Sequence, residues 1–115
     1  MKKVVLITYN PELMCFAHVL LYAIDFQEKG YDTKVVIEGG AVQLISKLKD
    51  RHTPFYELYE KVKAKGLIDC VCRACSAKLG SLADAEAQGL RVHGDLMGHP
   101  SVERYLDQGY QLITF

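Results

Sequence analysis

Short β-branched runs alternate with segments of helical periodicity from one end of the chain to the other, and this alternation restricts the fold more than any other feature. Val4-Val5-Leu6-Ile7 is a continuous apolar run of the kind found in strands buried on both faces. Asn10 then predicts a helix cap, with Pro11 at the first helical position and Glu12 in the first turn. That helix is expected from about Pro11 to Lys29, stopped by Gly30. Thr33 to Ile37 reads as a second strand, and after Gly39-Gly40 the segment Ala41 to Lys49 sets Leu44, Ile45 and Leu48 at helical spacing. His52-Thr53-Pro54 breaks the chain, after which Phe55, Leu58, Tyr59 and Val62 mark another helix face, ended by Gly66. Leu67 to Cys72 is a third strand, Cys75 to Gln88 a helix, and Leu90 to His93 a short fourth strand. A loop from Gly94 to Pro100 leads into a brief helix from Ser101 to Gln108, and Tyr110 to Phe115 closes the chain as a strand.

The order β-α-β-α-α-β-α-β-α-β predicts one three-layer α/β domain over residues 1–115, with a five-stranded, mainly parallel sheet and helices on both faces. A chain of 115 residues is long enough for this. Surface scaling gives about 6,300 Å² exposed when folded against roughly 18,700 Å² unfolded, so about two-thirds of the surface is buried.

Fourteen basic side chains balance fourteen acidic ones, which removes the long-range attraction that polyanions exert, and no nucleic-acid partner is expected. No apolar run reaches the length of a spanning helix, and the opening Met1-Lys2-Lys3-Val4-Val5-Leu6-Ile7 is cut short by Asn10-Pro11 before a signal-peptide core develops. No membrane association and a cytoplasmic location are therefore expected.

The first helix carries more apolar surface than one sheet face can bury. Between Leu13 and Phe26 the strongly polar residues are His18 and Asp25 alone. Leu13, Phe16, Ala17, Leu20 and Ile24 suffice for the stripe against the sheet, leaving Met14, Val19, Leu21 and Tyr22 to meet another subunit.

Three of the four cysteines crowd into Cys70-Val71-Cys72-Arg73-Ala74-Cys75, which is no spread-out disulfide framework. Period-two alternation sets Ile68, Cys70 and Cys72 on one face of the third strand and Leu67, Asp69 and Val71 on the other. Cys72 thus falls at the strand's carboxyl end, where open parallel sheets bind ligands. Cys75 follows in the first turn of the next helix, where backbone N–H groups favour a thiolate, and Arg73 adds a positive charge; both effects are expected to lower a thiol pKa. Cys15 and Cys70 read instead as small buried hydrophobes.

Zinc is the rival chemistry. Cys72-x-x-Cys75 supplies two ligands, and His93 or His99, which flank the exit of the fourth strand, would extend the set, but no second CxxC or HxxxH completes a signature. His93 and His99 are otherwise proton donors or anion binders at the same edge. Gly39-Gly40 reads as a turn, since no GxGxxG or Walker sequence accompanies it, and Asp69 within an apolar strand has no role in this reading.

From Leu67 to Gly80 the chain resembles the DsrE/DsrF-like sulfur-relay family, in which a strand ends in a cysteine and a glycine follows eight residues later; Cys72 and Gly80 match. A second cysteine three residues after the first, found in some members, matches Cys75, and the final Gly109-led strand fits in outline. Cys70 beside them departs from the pattern and leaves the carrier thiol open. The resemblance implies a flavodoxin-like α/β domain that assembles as homo- or hetero-oligomers, trimers and hexamers among them, with a persulfide on the strand-end cysteine; a homo-oligomer (trimer or hexamer) is expected here, with no cofactor required. Its partners would be sulfur donor and acceptor proteins. The expectation is a sulfurtransferase or sulfur carrier in which Cys72 takes up the sulfur as a persulfide, Cys75 is an alternate acceptor or resolving thiol, and Arg73, His93 and His99 lie around the bound sulfur. A metal- or small-molecule-binding module and a purely structural subunit remain as alternatives.

Overall fold

The computed structural model describes residues 1–115 as five strands and six α-helices. In chain order they are β1 (Lys3–Thr8), α1 (Leu13–Glu28), β2 (Asp32–Ile37), α2 (Gln43–Lys47), α3 (Tyr56–Ala64), β3 (Ile68–Cys72), α4 (Arg73–Lys78), α5 (Leu82–Ala87), β4 (Val92–His93), α6 (Glu103–Asp107) and β5 (Gln111–Thr114). A 3-10 turn, Gly39–Val42, leads into α2. The exposed surface is 6178 Å², the size expected of a compact chain of this mass. No helix is long and apolar enough to cross a membrane.

Every strand pairing is parallel, and the strand order is β4-β3-β2-β1-β5. This is a three-layer, doubly wound α/β arrangement that shares with flavodoxin-like folds a five-stranded parallel sheet covered by helices on both faces, although its strand order runs 4-3-2-1-5 rather than 2-1-3-4-5. The steps from β1 through β4 all travel in one direction, so crossovers of one hand lay their helices on one face. The return from β4 to β5 crosses back over the sheet and puts α6 on the other. Side-chain packing follows this division. Val4, Leu6, Val35, Ile37 and Val71 meet α1, α2, α3 and α5 in the larger core, while Val5, Ile7, Val36 and Cys70 meet Tyr105 of α6 and Tyr110 in a smaller one. The second face is thinly covered, and all four residues of the edge strand β5 are exposed.

Several expectations are corrected. Pro11 lies outside α1, because the Asn10 carboxamide accepts the Glu12 N–H (2.8 Å) in an Asx turn and Glu12 becomes the cap residue. The single helix expected from Cys75 to Gln88 is two, α4 and α5, separated where Gly80 adopts φ +79°, a conformation that ends a helix and is open to glycine at little cost. Val19, assigned to a subunit contact, is fully buried in the larger core; Cys15, read as a buried hydrophobe, is exposed. Met14, Leu21 and Tyr22 stand exposed on α1.

The strict alternation on β3 fails at one residue. The register with β2 shifts between Val35 and Val36, pairing them with Ile68 and Cys70, so that Asp69 is the extra residue of a bulge. Asp69 and Cys70 consequently both turn toward α6. Tyr105 Oη donates to Asp69 (2.5 Å) and lies 3.4 Å from Cys70 Sγ, and Lys34 Nζ donates to the same carboxylate (3.1 Å). Burial opposes the Asp69 charge, but these hydrogen bonds outweigh it and hold the carboxyl below its ordinary pKa. The acidic residue in an apolar strand thereby acquires a role: it anchors α6 to the sheet.

Candidate functional site

A parallel sheet places the loops that follow its strands along one edge, and four of them converge here. The segment after β1 brings Tyr9, the end of β2 brings Glu38 and Gly39, β3 ends at Cys72 with Cys75 one helical turn on, and the loop after β4 carries His99. Cys72 Sγ lies 3.0 Å from His99 Nδ1, and Cys75 Sγ lies 3.8 Å from the same nitrogen. Glu38 Oε1 approaches it to 3.9 Å. The two sulfurs, the Nδ1 and a carboxylate oxygen all fall within 4.8 Å of one another.

Backbone groups orient the thiols. Cys75 N–H donates to Cys72 Sγ (3.5 Å), and Gly39 N–H donates to Cys75 Sγ (3.3 Å). The His99 loop is a tight reversal: Leu96 and His99 exchange backbone hydrogen bonds across Met97 (φ +49°) and Gly98 (φ +94°), the pattern of a type I′ turn. Gly98 is required twice over. Its φ lies in the left-handed region, and a Cβ there would stand 2.9 Å from Ala74 Cβ. Close approach lets Gly98 C=O accept the Ala74 N–H (2.8 Å), which pins the loop to α4 and sets His99 over the cysteines.

Exposure separates the two thiols. Cys72 is completely buried, whereas Cys75 is only half-buried and His99 is exposed. Burial pushes the Cys72 thiol up to about 12, against the smaller opposing effect of the Cys75 N–H; the neighbouring Cys75 and Glu38 push it further in the same direction. The expectation of a lowered thiol pKa therefore reverses for Cys72. Helix α4 has only six residues, too few for a strong terminal field, and Arg73 is exposed with its side chain against Gly94. Burial also raises Glu38 above the usual carboxylate range, with His99 acting the other way.

Of the residues singled out from sequence, Cys72, Cys75 and His99 come together. His93 does not join them: its Nδ1 accepts from Arg104 (2.6 Å), in the network beneath α6. Glu38 and Gly39 were missed. Their signal was positional, a polar residue and a glycine directly after the apolar run Val35-Val36-Ile37, where the fold sets its ligands.

The sequence matches the DsrE/DsrF-like family over residues 1–115. The chain belongs to that family. An uncharacterized protein of Methanocaldococcus jannaschii is 34% identical over 104 residues, covering 90% of this chain and 83% of that one. An uncharacterized protein of Archaeoglobus fulgidus is 49% identical over 37 residues, which is 32% of this chain and all of the relative. Among solved structures, a conserved protein of unknown function from Bacteroides thetaiotaomicron superposes with a TM-score of 0.73, covering 99% of this chain and 95% of that one at 16% identity, a likeness of fold. DsrE/DsrF-like membership thus attaches a sulfur-relay type of family to an edge where two thiols and an imidazole meet.

Proposed function

We propose that this protein is a sulfur carrier of the cytoplasm, holding one sulfane sulfur on the Cys72–Cys75 pair and passing it between a donor and an acceptor protein. The observation that carries this reading is the half-buried Cys75 Sγ at the sheet edge, with the buried Cys72 Sγ behind it and His99 Nδ1 within 4 Å of both. Burial divides the roles differently from the strand-end pattern. Cys75 is the thiol a donor can reach, and Cys72 is the second thiol.

In the loading step the Cys75 thiolate attacks the terminal sulfur of a donor persulfide, a sulfur–sulfur bond forms on Cys75, the donor's breaks, and the donor leaves as a thiolate. In delivery an acceptor thiolate takes that terminal sulfur and Cys75 departs as thiolate, so the cycle is redox-neutral. Gly39 N–H faces the sulfur that carries charge in both steps, and His99 Nδ1 is placed to accept or return the thiol proton. If Cys72 instead attacks Cys75's own sulfur, an intramolecular disulfide forms and hydrosulfide is released, which makes Cys72 a resolving thiol.

Oligomerization belongs to the same reading. Met14, Leu21 and Tyr22 lie exposed along α1, Tyr22 packs its ring on Phe115, and a homo-oligomer covers this face. Intact-mass measurement after incubation with inorganic polysulfide tests the carrier role. Wild type is expected to gain the mass of one sulfur atom and Cys75→Ser to gain none; loading of the Cys72→Ser, Cys75→Ser double variant equal to wild type overturns it.

A further inference from the structure

We propose that Glu38, Cys72, Cys75 and His99 form a closed tetrahedral site for zinc, whose occupancy masks both thiols. Four donor atoms from three separate chain segments, the end of β2, the β3–α4 junction and the loop after β4, already lie within 4.8 Å of one another. Tetrahedral zinc with bonds of about 2.3 Å to sulfur and about 2.0–2.2 Å to nitrogen or oxygen needs sulfur–nitrogen separations of about 3.5 Å and nitrogen–oxygen separations of about 3.4 Å. The distances from His99 Nδ1, 3.0 Å to Cys72, 3.8 Å to Cys75 and 3.9 Å to Glu38, each lie within roughly half an ångström of these values, and the remaining separations are at most 4.8 Å, so shifts of up to about 1 Å close the set.

Glu38 is the independent pointer. Its side chain is 9% exposed, and the one basic side chain within 4 Å of its carboxylate is His99, whose Nδ1 stands 3.9 Å away. A largely buried carboxylate so placed, beside two sulfurs and an imidazole nitrogen, supplies the fourth donor that a cation at this position would take. The sulfurs are also furnished as metal ligands are: each accepts a backbone N–H, from Cys75 and from Gly39, which orients a thiolate and spreads its charge. Two thiolates and an imidazole select zinc over magnesium or calcium.

The binding step exchanges two thiol protons for two zinc–sulfur bonds, the protons pass to solvent, and no electrons move. Four protein ligands leave no open position, so the bound metal caps the thiols and activates no water. The consequence for sulfur transfer, that zinc-loaded protein cannot accept sulfur, rests on the function proposed above; the metal site does not.

The test uses the full chain, stripped with a chelator and titrated with zinc against a chromophoric competitor, with cobalt(II) as spectroscopic probe. One zinc per chain, intense tetrahedral cobalt bands with sulfur-to-cobalt charge transfer, and protection of Cys72 and Cys75 from iodoacetamide are expected. Glu38→Gln, which keeps the side-chain shape, is expected to weaken zinc binding about tenfold or more. Binding unchanged in Glu38→Gln and His99→Gln, a six-coordinate cobalt spectrum, or alkylation unslowed by zinc overturns the site. Sulfur loading is measured separately on metal-free protein, so a failure there strikes the carrier reading and leaves the zinc result intact.

Discussion

Cys72 and His99 are 27 positions apart in the chain and 3.0 Å apart in space, sulfur to Nδ1. The contact depends on Gly98, whose missing side chain lets the loop after β4 rest on α4. Replacing Gly98 by alanine forces a left-handed conformation on a residue with a Cβ and drives that Cβ into Ala74, at a cost of about 1–2 kcal/mol from the backbone alone. We expect a lower melting temperature for Gly98→Ala and faster alkylation of Cys72 as the His99 loop lifts, read by site-resolved mass spectrometry.

Thiol reactivity should divide along the line of burial. At pH 7 to 8, iodoacetamide is expected to modify the exposed Cys15 and half-buried Cys75 well before Cys72 and Cys70, both of which are buried and have raised pKa values. A folded-state Cys72 pKa of about 12, above the ordinary value of 9.0, contributes stability that is present below pH 9 and is lost as pH rises from there toward 12. Urea denaturation of metal-free protein should show stability falling above pH 9, and the fall should be smaller in Cys72→Ala.

Glu38 makes the complementary case. Burial holds its pKa above the ordinary value of 4.5, so the folded state favours the protonated acid and loses stability as pH rises through that region. Metal-free Glu38→Gln is therefore expected to melt higher than wild type at pH 7, with the difference shrinking toward pH 4. A lower melting temperature at pH 7 would show that the carboxylate is a structural partner in its own right.

The bulged residue Asp69 behaves in the opposite sense. Its pKa is held below 3.8, so the stability it contributes is present above that pH and is lost as the solution is acidified through the lowered value. Tyr105→Phe removes one donor to a half-buried carboxylate and is expected to cost about 1–3 kcal/mol at pH 7. The loss should narrow at low pH, where Asp69 is neutral in both proteins.

The exposed face of α1 predicts assembly. Light scattering coupled to size exclusion is expected to give a mass above that of a monomer for wild type, and a Met14→Glu, Leu21→Glu variant should shift toward the monomer with its secondary structure retained. Both residues are more than half exposed in the single chain, so the substitutions themselves leave the core intact.

Much of this fold is legible in the residues because β-branched runs and helical spacing coincide with burial. Val35-Val36-Ile37 and Val4-Val5-Leu6-Ile7 are strands for the reason their composition suggests, being covered on both faces. What escaped was set by long-range geometry. The bulge at Asp69 depends on β2, which lies 35 positions away at Lys34, and no alternation rule within β3 reveals it. His93 and His99 are equivalent in sequence, but only the turn at Met97-Gly98 decides that His99 faces the cysteines while His93 goes to Arg104. Glu38 is one acidic residue among fourteen until β2 is laid beside β3. The loss of a long helix at Gly80 was the reverse case, a local signal that the apolar pattern of the segment obscured.

Sulfur is proposed to reside on the thiol pair at the edge of β3. Metal-free protein loaded with polysulfide, trapped with iodoacetamide and digested locates that sulfur by peptide mass. One additional sulfur is expected on the peptide bearing Cys72 and Cys75, borne by Cys75 and discharged by an added acceptor thiol. An unmodified pair, or sulfur found on Cys15 alone, would contradict it.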